Sequence, residues 1–432
     1  MRSPRMTSSA CPGLEEPFMN AASNKRPPLL QGIRILDISH QYSGANAAAI
    51  LADLGAEVIS IEHPAGSPIR TMLPTKEGDS AWWKVAQRSK KNITLDLSKP
   101  RGREIFLDFA RRHDVLVENF RPGTLEKWKM GPADLEAEGV SLALLRISGY
   151  GQTGPMRDSP GFGTIAEAMS GFAYMNGFPD GPPAFPSTTL GDGVASVFGA
   201  VGVLAALVSR LRNGGLEKSQ GVEVIDVALF EALFRIIPTQ VSGYDMVGKI
   251  PKRPGNYLGD HGVLRNVYRT RDDRWLCVSA VGPVAARRIL VAARAEHLLP
   301  EIDGGAMRDS DMKKVQAFLW RCNEHLTPWA ESNTFDKLAA DLTAAGAVFS
   351  AVYNVADIVQ DPHYQAREDL VRAQDDRWGS VLMQGIVPKF PARDHAIRHA
   401  GRDRGADNTA VYSEWMGFSS DDLASLKRDG VL

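Results

Sequence analysis

One carboxylate of the chain stands between two glycines, in the run Leu190-Gly191-Asp192-Gly193, directly before an apolar segment that predicts a helix over 193–211. Glycine lets a ligand approach the backbone closely, and the start of a helix offers free N–H groups. Asp192 could therefore react with a bound substrate. An aspartate at this place is also an ordinary helix N-cap, and spacing alone favours the cap.

A basic turn follows one predicted strand, in the run Glu118-Asn119-Phe120-Arg121-Pro122-Gly123. Ligands of doubly wound sheets collect at the carboxyl ends of the strands, so Arg121 and Lys127 could meet a phosphate. A solvated turn is the alternative, and spacing alone favours it. His40, His63 and His261 also invite catalytic roles, but isolated histidines are more often structural or exposed.

The segment 149–154 matches GxGxxG and follows a predicted strand. In a dinucleotide-binding protein these glycines would bring a helix N-terminus to a pyrophosphate. Pro155 follows, however, and the next stretch has loop composition. The motif therefore favours a turn that needs flexible backbone over NAD binding.

Strand-like and helix-like segments alternate through the first half of the chain, which predicts a doubly wound α/β domain with a parallel sheet. The predicted strands are 33–38, 57–62, 92–97, 114–118, 142–148 and 222–226. The predicted helices are 44–54, 100–112, 164–172, 193–211 and 227–237. Beyond a basic loop at 248–262 we expect a strand at 275–281, helices within 284–342 and a Pro- and charge-rich C-terminal tail.

Composition narrows the class of protein. The 432 residues suggest two domains, and a net charge of −1 offers no overall attraction to nucleic acid or an anionic membrane. Three dispersed cysteines and no zinc-like spacing argue for a reducing, cytoplasmic location without a metal. Residues 1–28 lack an apolar core and predict a disordered tail, not a secretory signal. The apolar run 194–208 is too short to span a bilayer.

Five blocks together resemble the class III CoA-transferases, a family that includes formyl-CoA transferase, carnitine CoA-transferase and α-methylacyl-CoA racemase. They occur in the family's order, and the likeness extends over about 29–425. The blocks are 30–66, KKNITLDL at 90–97, DVLVENFRPG at 114–123, SGYGQTGP at 148–155, and 188–210.

The resemblance assigns roles to residues. The family's nucleophilic aspartate falls on Asp192, and its CoA-contacting basic positions fall on His63, commonly arginine in the family, and Lys127. Tyr42 occupies an active-site position that is glutamine in formyl-CoA transferase. Arg121 and His40 complete the candidate CoA-binding residues.

The family's fold implies an interlocked homodimer. Each chain would have a large Rossmann-like domain, 29–237 plus 389–432, and a region of linker loops and a small α/β domain, 238–388. Acyl-CoA and a carboxylic acid would be the substrates, with no tightly bound cofactor and no metal. The segment 255–262 is a candidate lid.

An alternative within the family is a 2-methylacyl-CoA racemase that uses Asp192 as an acid/base. Racemisation needs a second titratable group, and the histidine that serves the racemases falls on Phe162 here. The sequence therefore favours a transferase. A CoA-binding protein without turnover is a third, non-enzymatic possibility.

Overall fold

The structure is a computed structural model, and it describes residues 25–216, 219–257 and 262–432. Its strands, β1 to β13 in chain order, are Arg34–Asp37, Glu57–Glu62, Thr75–Lys76, Asp79–Ser80, Lys90–Thr94, Val115–Glu118, Ala143–Ser148, Glu223–Ala228, Val263–Arg269, Trp275–Val281, Phe349–Ala351, Leu370–Asp375 and Gly379–Gln384.

The α-helices of the described residues are numbered α1 to α18. They are Ser43–Asp53, Ala81–Ala86, Pro100–Ala110, Thr124–Lys127, Pro132–Ala137, Gly163–Met169, Phe172–Met175, Leu190–Arg212, Leu229–Arg235, Gln240–Val247, Pro283–Ala292, Leu299–Asp303, Met312–Glu331, Phe335–Ala344, Val355–Gln360, Pro362–Ala366, Asn408–Met416 and Ser420–Arg428. Short 3-10 helices cover Pro68–Thr71 and Glu296–Leu298.

A six-stranded parallel sheet organises the first half of the chain, in the order β5-β2-β1-β6-β7-β8. Side chains alternate across it: Ile35 packs into the core on one face and Leu36 into the core on the other. The chain runs outward from β1 to β2 and β5, then returns to place β6 on the other side of β1. The carboxyl ends of β1 and β6 therefore form the topological switch point, where doubly wound sheets bind ligands.

A separate hydrophobic core lies under the antiparallel sheet β11-β10-β9 and is formed with α11, α13 and α14. Strand β10 was predicted, whereas β9 was missed. The C-terminal tail prediction is wrong, because 370–384 form the β12–β13 hairpin and 408–428 carry α17 and α18. These helices bury apolar side chains such as Tyr412, whose hydroxyl donates to the Thr94 carbonyl at 2.7 Å.

The N-terminal tail prediction concerns 1–28, of which 1–24 lie outside the described residues. Arg26 is not free: its N–H donates to Ala392 O at 3.0 Å, and its carbonyl accepts from Asp394 N at 2.9 Å. The division of the chain into domains stays a prediction.

By length and composition, helix α8 could cross a membrane, and 39% of its most apolar 18-residue stretch is buried. One side packs on β7, β8 and α1, as in the core helix of a globular protein. The other side exposes Val197, Val201 and Val208.

Candidate active site

Asp192 lies inside α8 and not before it, so the prediction that it is the N-cap is wrong. The helix begins at Leu190 with Thr189 as its N-cap, and Gly193 N already donates to Thr189 O at 3.0 Å. The sequence predicted a later start, at residue 193, because Gly191 and Gly193 have low helix propensity. Asp192 is the third helical residue, so its carboxylate belongs to the first turn, where the helix dipole favours negative charge.

Ser196 connects this turn to the start of α1. Its hydroxyl lies 2.7 Å from the Asp192 carbonyl oxygen and 2.7 Å from the Ser43 carbonyl oxygen. Ser43 follows the loop after β1, so the contact holds the first turn of α8 beside the switch point of the sheet.

Two glycines make room around the carboxylate. A Cβ on Gly163, the first residue of α6, would overlap Asp192 Oδ2. A Cβ on Gly191 would stand 3.1 Å from Gly163 O. The absence of both side chains lets α6 and α8 approach closely, while the Cβ direction of Gly193 meets no described atom within 4 Å. Asp192 is thus packed on the α6 side and is half-buried overall.

Glu167 is a second carboxylate at this place. It lies on α6, is only 3% exposed, and its Oε1 accepts the Gly191 N–H at 3.2 Å. Burial raises the pKa of Asp192 from an ordinary 3.8 to about 6, and the negative charge of Glu167 adds to the shift. Asp192 is therefore a more basic carboxylate than a solvated aspartate, yet it is mostly ionised at neutral pH.

Tyr42 lies within electrostatic reach of Asp192. It is the N-cap of α1, and its ring meets Trp82 edge-on at a centroid distance of 5.0 Å. Burial raises the pKa of Tyr42, the charge of Arg88 lowers it, and the charge of Asp192 raises it. The phenol therefore stays protonated and can donate a hydrogen bond at neutral pH.

His40 and His63 follow neighbouring strands, β1 and β2. His40 is fastened by its backbone: its N–H donates to Asn119 Oδ1 at 2.7 Å, and its carbonyl accepts from the same amide. Burial lowers the pKa of His40, and the charge of His63 lowers it further. His63 has a side chain that is 48% exposed, with Nε2 3.8 Å from Asp96 Oδ2. Both histidines thus stand at the carboxyl edge of the sheet.

Arg121 and Lys127 stand after β6 at the same edge. Both are exposed, and neither forms an ion pair with any described residue. Gly123 has φ +85, a left-handed conformation that starts the short helix α4 at the end of which Lys127 lies. The two cations are therefore free to meet an anion.

A buried ionic network fixes the turn that carries these cations. Glu118 is fully buried and accepts from Phe120 N at 2.7 Å and from Arg146 Nε at 2.6 Å, while Arg146 also binds Glu126. Burial raises the pKa of Glu118 to about 7, against the attraction of Arg146. The network makes the turn a rigid platform.

The GxGxxG segment is a turn, as predicted, and α6 begins only at Gly163. A Cβ on Gly149 would stand 2.9 Å from Gly161 Cα, so the motif's first glycine lets segment 161–163 cross it closely. This crossing carries Gly163 to its place beside Asp192.

Some site features were missed or stay untested. Neither Glu167 nor Ser196 is among the candidate site residues predicted from the sequence; both depend on packing between segments distant in the chain. Phe162, at the position of the racemases' histidine, is 65% exposed in the single chain. His261 and most of the candidate lid's second half lie outside the described residues. No cluster suited to a metal occurs in the part of the chain described.

Comparison with known proteins shows which proteins the chain resembles. Residues 30–408 match the model of CoA-transferase family III. The chain is 33% identical over 413 residues to succinyl-CoA–D-citramalate CoA-transferase of Chloroflexus aurantiacus, covering 95% of this chain and 100% of that protein. It is 37% identical over 380 residues to acetyl-CoA:oxalate CoA-transferase of Acetobacter aceti, covering 86% and 91%.

A solved structure shares the fold. The CaiB/BaiF family protein from Brucella suis superposes with a TM-score of 0.77 at 24% identity, covering 90% of this chain and 100% of that one. The mixed α/β architecture expected from the sequence is confirmed.

Proposed function

We propose, from the premise that the chain belongs to CoA-transferase family III, that Asp192 is the nucleophile of its reaction. The enzyme transfers CoA from an acyl-CoA to a carboxylic acid, and CoA thioesters are its substrates. The observation that carries the assignment is the position of Asp192: a half-buried carboxylate with a raised pKa, in the first turn of α8 and packed against α6.

The steps follow from covalent catalysis. Ionised Asp192 attacks the thioester carbonyl of the donor, the C–S bond breaks, and a mixed anhydride forms with CoA thiolate released. The thiolate attacks the aspartyl carbon, expelling the donor acid and leaving an aspartyl-CoA thioester. An acceptor carboxylate attacks that carbon and again frees the thiolate. The thiolate takes the acceptor's acyl group from the second anhydride, which regenerates Asp192.

The raised pKa of Asp192 suits this chemistry. A more basic carboxylate is a better nucleophile, and a pKa near 6 still leaves it ionised at neutral pH. The Tyr42 phenol, which stays protonated, is a candidate donor to the oxyanion of each tetrahedral intermediate.

The proposed CoA-binding residues are Lys127, Arg121, His63, Tyr42 and His40. Their support is a shared location in the segments that follow the carboxyl ends of β1, β2 and β6, around the switch point. The free cations Lys127 and Arg121 would meet phosphate, and the histidines would line the path toward Asp192.

The acids exchanged are proposed from the relatives. The names of three are succinyl-CoA–D-citramalate, succinyl-CoA–L-malate and succinyl-CoA:mesaconate CoA-transferase. Each pairs succinyl-CoA with a dicarboxylic acid. We therefore expect a succinyl-CoA donor and a small dicarboxylate acceptor here.

The enzyme is proposed to be an interlocked homodimer. Exposed apolar side chains occur on α8 (Val197, Val201, Val208) and on α10 (Tyr244 and Met246). A second copy would remove this surface from water. Light scattering should give twice the chain mass, and a monomer in dilute solution would contradict the proposal. The free thiols Cys277 and Cys322 support a cytoplasmic location.

The nucleophile is tested by trapping. The wild type, incubated with succinyl-CoA and then borohydride or hydroxylamine, should carry its modification on the peptide containing Asp192. Asp192→Asn, which keeps the shape and removes the charge, should lose transfer and labelling while its circular dichroism stays native. Transfer above about a hundredth of the wild-type rate in that variant would reject the assignment, since losing a nucleophile costs many orders of magnitude.

A further inference from the structure

Lys90 and Asp37 form a fully buried ion pair within the large sheet. Lys90 is the first residue of β5 and Asp37 is the last residue of β1, and both side chains are 0% exposed. The lysine Nζ lies 2.8 Å from Asp37 Oδ2. Because β2 lies between β5 and β1, the lysine side chain has to cross a strand to reach its partner. The pair therefore holds the end of β1 from two strands away.

Stability alone does not account for this pair. The free-energy cost of taking two charges out of water can exceed their attraction, and apolar side chains of similar volume often stabilise a core as well or better. An ammonium group adds direction, because its N–H donors must meet acceptors. Besides Asp37, the Nζ of Lys90 donates to the carbonyl oxygen of Ala45 at 2.7 Å. The lysine therefore joins the end of β1 to the first turn of α1.

The loop between β1 and α1, residues 38–42, is held at both ends by these contacts. At its start, the other oxygen of Asp37, Oδ1, accepts the Ser39 N–H at 2.9 Å and also accepts from the Ser39 hydroxyl. At its end, the lysine binds the first turn of α1. The loop carries His40 and Tyr42, so its conformation also sets where these two side chains begin.

The first turn of α1 is in turn connected to the turn of Asp192. Ser43, two residues before Ala45, has its carbonyl oxygen 2.7 Å from the hydroxyl of Ser196, and that hydroxyl lies 2.7 Å from the Asp192 carbonyl oxygen. Ser196 is 0% exposed. A continuous path of polar contacts and one helical turn therefore runs from Lys90 to the backbone of Asp192.

We propose that Lys90 is a positioning residue for the transfer reaction: it holds the start of α1, so that Ser43 and Ser196 fix the turn that carries Asp192. The inference rests on the proposed function, because it takes Asp192 as the nucleophile. Lys90 is fully buried and cannot touch a substrate, so it acts through geometry. Displacement of a reacting group by about 1 Å can lower a rate about a hundredfold.

The first test is Lys90→Met, which keeps an unbranched side chain and removes its charge. The kcat should fall about tenfold or more, because the start of α1 is no longer held. Lys84→Met is the matched control. Lys84 is also a buried lysine, with Nζ 2.7 Å from Asp375 Oδ2, but it joins α2 to β12 and not to α1. The control should keep the wild-type kcat within about twofold, the scatter expected of a change remote from the site.

The second test is Ser196→Ala, which removes one hydroxyl at the other end of the path. The kcat should fall about fivefold, the effect of one lost hydrogen bond. The dissociation constant for CoA, measured by calorimetry, should not change, because Ser196 is buried. If the two residues act along one path, the double variant should be no slower than Lys90→Met alone.

Three results would overturn the proposal: wild-type kcat in Lys90→Met, an equal loss of kcat in Lys84→Met, or rate losses that simply multiply in the double variant. If Lys90→Met does not fold, Ser196→Ala decides, and wild-type kcat in that variant rejects the path. Failure of the proposed function looks different, because Asp192→Asn would then keep its transfer activity. The positioning role fails on its own only in an enzyme that depends on Asp192 and not on Lys90 or Ser196.

Discussion

Glu167 Oε1 accepts the backbone N–H of Gly191 at 3.2 Å, which fixes one buried carboxylate beside the residue that precedes Asp192. The bond orients the first turn of α8 and keeps a negative charge close to the proposed nucleophile. Its effect adds to that of burial, since both raise the pKa of Asp192.

Glu167→Gln should shift the acid limb of the pH profile to lower pH. In the wild type, kcat/KM should fall as pH drops through about 6, because protonated Asp192 cannot attack. Glutamine can still accept from Gly191 N–H but carries no charge, so the pKa of Asp192 should decrease. Profiles of kcat/KM from pH 4.5 to 8 measure this; Glu331→Gln, exposed on α13, is the control. An acid limb at the wild-type pH would show that the charge of Glu167 does not raise the pKa of Asp192.

Gly163→Ala should reduce kcat by about a hundredfold, the loss that follows displacement of a reacting group by about 1 Å. The new Cβ would overlap Asp192 Oδ2, so the carboxylate must rotate away. Gly243→Ala is the control, because its Cβ meets no described atom within 4 Å. Rates from stopped assays should show the loss of activity, and thermal melts should show little loss of stability. Wild-type kcat in Gly163→Ala would place the working carboxylate elsewhere.

Lys127→Gln should raise the dissociation constant for CoA about tenfold and weaken all acyl-CoA donors alike, because the contact is to phosphate and not to the acyl group. Arg121→Gln should have a smaller effect. Lys129→Gln, exposed two residues away, controls for general loss of positive charge. Equal CoA affinities for the Lys127 variant and the wild type would return Lys127 to the solvated surface.

The enzyme should not exchange the α-hydrogen of 2-methylacyl-CoA. Phe162 stands where the racemases have a histidine, and phenylalanine cannot carry a proton. Glu167, the buried carboxylate close to Asp192, is the candidate for the second acid/base, but its Oε1 already accepts the Gly191 N–H. Mass spectrometry after incubation in deuterated water measures the exchange. Steady deuterium incorporation that Asp192→Asn abolishes would make the protein a racemase.

Local patterns in the sequence determined much of this protein. Short apolar runs alternating with helix-like segments predicted the strands; 57–62 and 275–281 match β2 and β10 to the residue. Five short blocks in order pointed to the family and to Asp192. These features could be read directly because a strand's alternation and a motif's spacing are properties of consecutive residues.

Only the tertiary structure decided which distant side chains share a site. Glu167 reaches the helical turn that carries Asp192 because Gly163 and Gly191 let α6 and α8 approach closely. The sequence of the loop between these helices does not predict that contact. Tyr412 binds the Thr94 carbonyl because α17 packs beside β5, more than 300 residues further along the chain. Long-range packing depends on how whole surfaces fit, so local residue preferences could not predict it.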